Sequence, residues 1–437
     1  MISNLENISI QELEGRNAIN HFYPFSNKDY VAKRQFSFDE VIGRYISFLT
    51  GKKLNNLNYE EFKKECLAKF KEVLDDEQYA DTIQELYFDD ENITLNSILT
   101  YQLHEAGNTS QKVYEIFRSM SKFDKLDINF EKNHNFFEEI ILDLLKSYMI
   151  EYKENKSSSC YLPFLETLFA EDFKFITGNS HYFVKNIEKF LELYLFIYCS
   201  QLALNLKPNK NALSIPQAQD IYFILNYEKA STERRNVVDL GYQYLYDRAK
   251  YIFPYLSLLT IFMKVFSSND FRLYNLLEVL DESDNSISIL DNFNVKYREA
   301  KQLEALEYNS ATINEALESL LDSAYDQFKE NSVVDRKGAL DKYLKAFENQ
   351  VARPFLQNRG RLGKILVMDQ DMILLLTNIS IGNKSKLRFQ ELMLEFKKRG
   401  ICFDTKSQVE LVSLYEKIGN IERKSDSGDA IYVKTTI

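Results

Sequence analysis

The chain has 437 residues, of which 54 are Lys or Arg, 65 are Asp or Glu and 45% are hydrophobic, enough for two or three domains with real cores. Only 13 Gly and 6 Pro punctuate it, which favours a mostly helical protein over a strand-rich one with many turns. The four cysteines, Cys66, Cys160, Cys199 and Cys402, form no CxxC pair, which argues against metal sites built on paired thiols and for reduced cytosolic cysteines.

In chain order, residues 1–35 are polar apart from His21, Phe22, Tyr23 and Phe25 and read as an irregular arm. No basic region followed by an apolar run opens the chain, so no secretory signal is expected. Ser37 with Glu40 suggests a capping box, and Val41, Tyr45, Phe48 and Leu49 continue at helical spacing to Gly51. Phe62, Cys66, Phe70 and Val73 mark a second amphipathic helix, with others expected around 79–88, 94–106, 109–121 and 135–153. Residues 153–159 form a polar loop, and Pro163 sits where a helix can start.

A long helix is expected over 181–206, wholly apolar in its second half, followed by a linker at 207–217 with Pro208 and Pro216. The run 221–225 (IYFIL) suits either a short strand or a buried helical segment. A helix over 236–266 should kink at Pro254, residues 281–286 read as a loop, and two more helices are expected over 298–330 and 337–357. Leu193–Leu206 and Tyr251–Met263 are uncharged but well short of the roughly 20 residues of a membrane-spanning helix. They read as buried helices, so no membrane partner is expected. The layout is thus an N-terminal helical domain (1–206), a central helical domain (207–350) that forms either its own core or one shared with the first, and a C-terminal unit (351–437).

That C-terminal unit differs from the rest in charge. Residues 353–437 hold 15 Lys and Arg against 10 Asp and Glu, a net of +5, whereas residues 1–352 carry a net of −16. An acidic body with a small basic unit suggests one part that meets a polyanion and another that meets protein. Asp371–Ser380 is apolar on all faces, as a central first helix would be. Phe389, Leu392, Met393 and Phe396 share one face of a second helix that Gly400 ends. Ser407 and Glu410 suggest another capping box, opening a third helix with Leu411, Leu414, Tyr415 and Ile418 on one face and Gly419 after it. Two short β-prone runs around Asp-Ser-Gly-Asp (426–429) then read as a hairpin. Three helices followed by a hairpin is the order of a winged helix-turn-helix, so the fold class is mainly α with a C-terminal winged helix.

The third helix offers Lys406, Ser407, Gln408, Ser413 and Lys417 away from its apolar face, and the hairpin adds Arg423, Lys424 and Lys434. Lys and Arg neutralise phosphates, while Ser and Gln at a helix start reach base edges or phosphates, so these residues are the candidate contacts to double-stranded DNA. Asp404, Glu410, Asp426 and Asp429 would repel a duplex, and the same unit can instead dock protein; both readings stay open. Arg359 and Arg361, in the run 357–364 (QNRGRLGK), could also touch a phosphate backbone. That run lacks the glycine spacing and the Ser/Thr of a phosphate-binding loop and reads as a basic hinge before the short strand ILVM.

Nothing else in the chain carries chemistry. His21, His104, His134 and His181 stand on separate elements without metal-ligand spacing, and Glu395 with Lys397 suits a solvated helix face better than a nuclease centre. Arg234 and Arg235 open the 236–266 helix, where positive charge opposes the dipole; a solvated turn or a compensating partner are the two readings. No catalytic residue, cofactor site or metal site is assigned.

The C-terminal runs RGRLGKILVMDQDMILLLTNISIG, ELMLEFKKRGICFDTKS and EKIGNIERKSDSGDAIYVKT, with FSFDEVIGRYISFLTGK near residue 36 and IYFILNYEKAS at 221–231, resemble the G component of the DNA phosphorothioation-dependent restriction systems (the Dpt or Dnd type). The resemblance is spread over the full length. It implies a cytoplasmic, non-catalytic subunit of a bacterial defence complex that restricts DNA lacking the backbone sulfur. It also implies an F component and an ATPase/helicase-like H component as partners, which the acidic body would meet. A pure assembly scaffold and a winged-helix transcription regulator without a restriction role are the alternatives.

Overall fold

Ser37 does what its position suggests: its hydroxyl accepts a hydrogen bond from the Asp39 N–H and starts a helix that Gly51 ends. The reciprocal half of the expected capping box is missing, because the Glu40 carboxylate turns away to accept from the Gly107 N–H at 2.9 Å. In this computed structural model the chain is mainly helical. It describes all residues except 1, 16, 56, 58, 75–76, 89–96, 105–106, 123–133, 154–158, 208–213, 281–283, 330–335 and 425–429.

The residues fall into two compact units, both discontinuous in sequence. The first contains Met1–Gln35, Ser158–Leu168 and Leu193–Ile437; the second contains Phe36–Ser157 and Phe169–Glu192. The boundaries expected at 206/207 and 350/351 therefore both lie inside the first unit. The reason is a long-range strand pairing, described below, that no local composition shift reveals.

The N-terminal arm carries two short helices, α1 (Ile2–Asn7) and α2 (Ile10–Leu13), and is otherwise irregular. Its aromatic cluster is nonetheless core, since Phe22, Tyr23 and Phe25 are all buried. In the second unit follow α3 (Phe38–Thr50), β1 (Lys52–Leu54), α4 (Tyr59–Val73), α5 (Glu77–Tyr87), α6 (Asn108–Met120), α7 (Phe136–Ser147) and β2 (Met149–Glu151). The helix expected up to residue 153 stops at Ser147, because Met149–Glu151 pairs antiparallel with Lys52–Leu54. Within 94–106 the described part is a 3-10 turn, Ile98–Leu103. Phe62, Cys66 and Phe70 are fully buried on α4, as their spacing suggests, whereas Val73 ends the helix in solvent.

Tyr45, Tyr114, Phe117, Phe169, Phe173 and Phe190 pack ring on ring to form the centre of this unit. Gly43 lets α3 lie directly against the Ile98–Leu103 turn: a Cβ there would sit 2.1 Å from the Tyr101 carbonyl oxygen. Gly43→Ala is therefore expected to cost about 1–3 kcal/mol through overpacking. Urea denaturation followed by circular dichroism checks it, and an unshifted midpoint would mean that the turn can slide aside.

Pro163 opens α8 (Pro163–Thr177), which is followed by α9 (Ser180–Leu206). Residues 221–225 form a strand, β3 (Ile221–Leu225). The helix expected over 236–266 is three pieces: α10 (Arg235–Asp239), α11 (Tyr242–Ala249) and α12 (Ile252–Val265). The first break arises because the Leu240 carbonyl leaves the helical path to accept from the Tyr222 N–H at 2.9 Å. The expected kink at Pro254 is absent, since the proline lies in the first turn of α12, where its missing N–H is not needed.

Then come α13 (Leu276–Val279), α14 (Asp284–Ala300), α15 (Ile313–Asp326) and α16 (Lys337–Ala346). The helix expected over 298–330 is broken at Gln302, a non-glycine residue with φ of +57°, and restarts where the Thr312 hydroxyl accepts from the Glu315 N–H. After α16 a wide helical turn (Phe347–Ala352) and a 3-10 turn holding Pro354 lead to β4 (Leu356–Asn358) and β5 (Lys364–Met368). The remaining elements are α17 (Gln370–Ile381), β6 (Lys386–Arg388), α18 (Phe389–Lys398), β7 (Ile401–Phe403), α19 (Thr405–Ile418), β8 (Ile421–Lys424) and β9 (Ala430–Lys434).

Two sheets organise the first unit. One runs in the order β4-β5-β3-β7, with β3 parallel to both β5 and β7; the other is antiparallel in the order β6-β9-β8. Strand β3 is thus an internal strand of a sheet otherwise built from residues beyond 355. Phe223 on it meets the rings of Phe196, Phe355 and Phe403, which binds the apolar half of α9 to the C-terminal segment. No described helix is long and apolar enough to cross a membrane. The uncharged runs on α9 and α12 are buried in this core instead.

Candidate functional site

The C-terminal elements place the candidate residues very unequally. Helix α19 starts one turn earlier than its sequence suggests: Asp404, not Ser407, is the N-cap, its carboxylate accepting from the Ser407 N–H at 2.9 Å. Ser407 is therefore inside the first turn and wholly buried, which removes it from the outward face assigned to it. Its hydroxyl donates to the Glu228 carboxylate at 2.8 Å and accepts from Arg234 Nη2 at 2.6 Å.

Arg234 is the centre of this cluster. Its guanidinium binds Glu228 Oε2 through Nη1 at 2.7 Å and Asp404 Oδ2 through Nε at 2.7 Å. Burial alone would lower the arginine's pKa, but the hydrogen bonds to Asp404 and Glu228 outweigh it and raise the value. Burial likewise pushes the Asp404 carboxyl up, and the bonds from Arg234 and the Ser407 N–H bring it below the usual aspartate range. Of the two readings for Arg234, the compensating partner is the one present. Arg235 is the exposed one of the pair.

Gln408 is half-buried and donates back to the Phe403 carbonyl at 2.8 Å, so it too serves the start of the helix. Lys406 and Lys417 are exposed and carry no ion pair among the described residues; Ser413 is half-exposed between them. At 100° per residue, positions 406, 413 and 417 lie within about 20° of one line along α19, and the two lysines are about 16 Å apart along its axis. Glu410 sits close to the same line, about 40° from Lys406.

On the β6-β9-β8 sheet, register puts Lys386 opposite Lys434, Arg388 opposite Tyr432, and Tyr432 opposite Glu422. Glu422 bridges both lysines, at 2.7 Å from Lys386 and 3.0 Å from Lys434, and these contacts hold its carboxyl down at about 2. Arg388 donates to the Tyr432 hydroxyl at 3.2 Å. Lys434 therefore belongs to a five-residue polar face with Glu422, Lys386, Arg388 and Tyr432, the last three not among the residues expected from the sequence. The signal was present as alternation, Lys386 with Arg388 and Tyr432 with Lys434, but β6 is only three residues long. Arg423 is exposed and paired with Glu416. Lys424 ends β8, and the expected turn at Asp426–Asp429 lies outside the described residues.

Arg359 and Arg361 belong to the turn between β4 and β5, at the β4 edge of the four-stranded sheet, while α19 follows β7 at the other edge. Half-buried Arg359 donates to the Asn226 carbonyl, and Arg361 is exposed. Glu395 pairs with Lys398 at 2.9 Å and Lys397 with Asp220 at 2.9 Å, so the two residues weighed as a nuclease pair are engaged in separate ion pairs. Among the described residues no group of three His, Cys, Asp or Glu side chains could hold a metal ion. All four cysteines are buried, and burial pushes the Cys66 and Cys402 thiols up to about 12, far from a reactive thiolate. No protein-family model matches this sequence, and no curated protein matches it significantly.

Proposed function

We propose that the chain is a non-catalytic subunit of a phosphorothioation-dependent DNA restriction complex, whose C-terminal part is a winged helix that contacts DNA, partner subunits or both. The sequence resemblance to the G component supports the restriction role. One observation carries the winged-helix reading: the order α17, β6, α18, α19, β8, β9, with β9 paired between β6 and β8, places a hairpin beside a third helix. The strand β7, inserted between α18 and α19, pairs outside this set with β3.

The DNA arm rests on Lys406 and Lys417, which project from one line of α19 at a separation comparable to the width of a major groove, roughly 12 Å. The test is duplex binding by the full chain, titrated with salt, on plain and phosphorothioated DNA. Lys406→Glu with Lys417→Glu is expected to flatten the log–log salt slope by about 2, one per lost phosphate contact. Glu410→Gln, which removes the carboxylate from the same line, is expected to raise affinity. An unchanged slope in the double variant would take α19 off the DNA. A difference between the two DNAs would locate the sensing of modification in this subunit.

Two exposed apolar side chains, Val409 beside the lysines (65% exposed) and Leu394 on α18 (61%), favour the second reading, a docking unit for the F and H components. That reading expects co-purification with partner subunits and no duplex affinity. A transcription regulator expects instead sequence-selective binding that ignores the sulfur.

A further inference from the structure

Away from the C-terminal elements, the first unit carries a half-open cavity of about 500 Å³ between the N-terminal arm and α12, with Lys301 on its buried side. Lys301, one residue beyond α14, lines it and is only 3% exposed. Its Nζ donates to the Gly15 carbonyl at 3.1 Å, and among the described residues it has no ion pair. An ammonium offers three donors, and a buried one left without a counter-ion is costly. The neighbourhood makes the deficit worse: Arg336 donates to the Lys301 carbonyl at 3.0 Å, and Lys264 on α12 lines the same cavity. Burial first, then Arg336 and Lys264, lower the Lys301 pKa to about 8. Two further polar atoms on the wall are buried and unpartnered, Ser257 Oγ and Asn17 Oδ1. The residue after Lys301, Gln302, holds a left-handed backbone that glycine or asparagine normally takes, a local strain of the kind that collects at binding sites.

We propose that this cavity binds a small monocarboxylate, with the Lys301 ammonium as its counter-ion and the Ser257 hydroxyl as a second donor. A cavity with an unpaired ammonium, a spare hydroxyl and room for a ligand supplies what a carboxylate needs. The other charged groups on its wall set the ligand's charge. Glu12 and Glu14 from the arm line it, so a dianionic phosphate is repelled where a single negative charge is tolerated.

The test uses the full chain labelled biosynthetically with 13C,15N-lysine, so that each unmodified ammonium reports by NMR, with the Lys301 signal assigned by its loss in Lys301→Met. Acetate, pyruvate and glycine are the probes and inorganic phosphate the comparison. At least one of the three is expected to shift the Lys301 signal saturably and to raise its titration midpoint, with phosphate weaker. The charged and titratable groups around Lys301 are Glu12 and Glu14 from the arm, Lys264 from α12, the Tyr297 phenol from α14 and Arg336. The Lys301 pKa, lowered by burial, Arg336 and Lys264, is about 8, so affinity should drop by up to about tenfold per pH unit above that value. Lys301→Met is expected to abolish the ligand-dependent rise in melting temperature while leaving the free chain folded, since an apolar isostere removes an uncompensated charge. Ser257→Ala should weaken binding and spare the fold. Non-saturating shifts for all three probes, or a thermal response that survives in Lys301→Met, would overturn the proposal, and a stronger response to phosphate would overturn its charge assignment.

Discussion

Replacing Arg234 with Met is expected to lower the stability of the first unit by about 3–5 kcal/mol, the range for removing one partner of a buried ion cluster. The size follows from what is left behind. Glu228 is 7% exposed and would keep its charge with only Ser407 and the Leu225 N–H as donors, the latter at 2.7 Å. Asp404 would retain its capping role but lose the bidentate arginine. Arg234→Lys keeps the charge without the planar fork and should fall between the two. Adding Glu228→Gln to Arg234→Met should recover part of the loss, because the residual penalty is the unpaired carboxylate itself.

The pH dependence has a definite sign. Asp404 titrates below its ordinary value in the folded chain, so its contribution is present above that value and is lost as the pH falls through the depressed one. Without Arg234 much of that depression goes, because the arginine's hydrogen bonds to Asp404 are its main cause. The stability gap between native chain and variant should therefore shrink in acid. Urea denaturation followed by tyrosine fluorescence measures it in a chain with 28 Tyr and no Trp. A gap under about 1 kcal/mol at neutral pH would mean that the cluster is solvated and does not fix the start of α19.

That cluster also shows where the sequence stops being legible. Asp404 and Ser407 are both good N-cap residues three positions apart, and local pattern cannot choose between them. The deciding group, Arg234, arrives from 170 positions away. The same limit hid the four-stranded sheet. Its internal strand, 221–225, reads equally well as buried helix until its partners at 364–368 and 401–403 are known. What was legible was local and periodic: the apolar faces of α4, α18 and α19, the proline opening α8, and Gly419 at φ +82° closing α19. Helix breaks forced from elsewhere were not, as at Leu240, where β3 captures a carbonyl, and at Gln302, which no glycine or proline marks. Among the candidate contacts, Lys406 and Lys417 stayed outward because nothing distant claims them, whereas Ser407 and Gln408 went to the helix start.

The dependence of the C-terminal elements on β3 leads to the second large effect, expected for Phe223→Ala at about 3–5 kcal/mol, as for truncating a buried phenylalanine. Phe223 is fully buried, and its ring meets those of Phe196 at 5.6 Å, Phe355 at 6.2 Å and Phe403 at 6.5 Å between centroids. Its loss opens a cavity where α9, the turn before β4 and strand β7 converge, so the damage should be directional. Amides of β3, β5 and β7 should lose hydrogen-exchange protection together, because β3 joins the other two. Those of β6, β8 and β9 should keep more of theirs, since that sheet packs its own Leu387 and Val433 inward and pairs only within itself. Phe223→Leu retains most of the volume and should lose less on both measures. Uniform loss across both sheets would mean that the C-terminal elements and β3 unfold as one cooperative block. By the same argument residues 351–437 alone lack the strand between β5 and β7, which is why duplex binding has to be measured on the full chain.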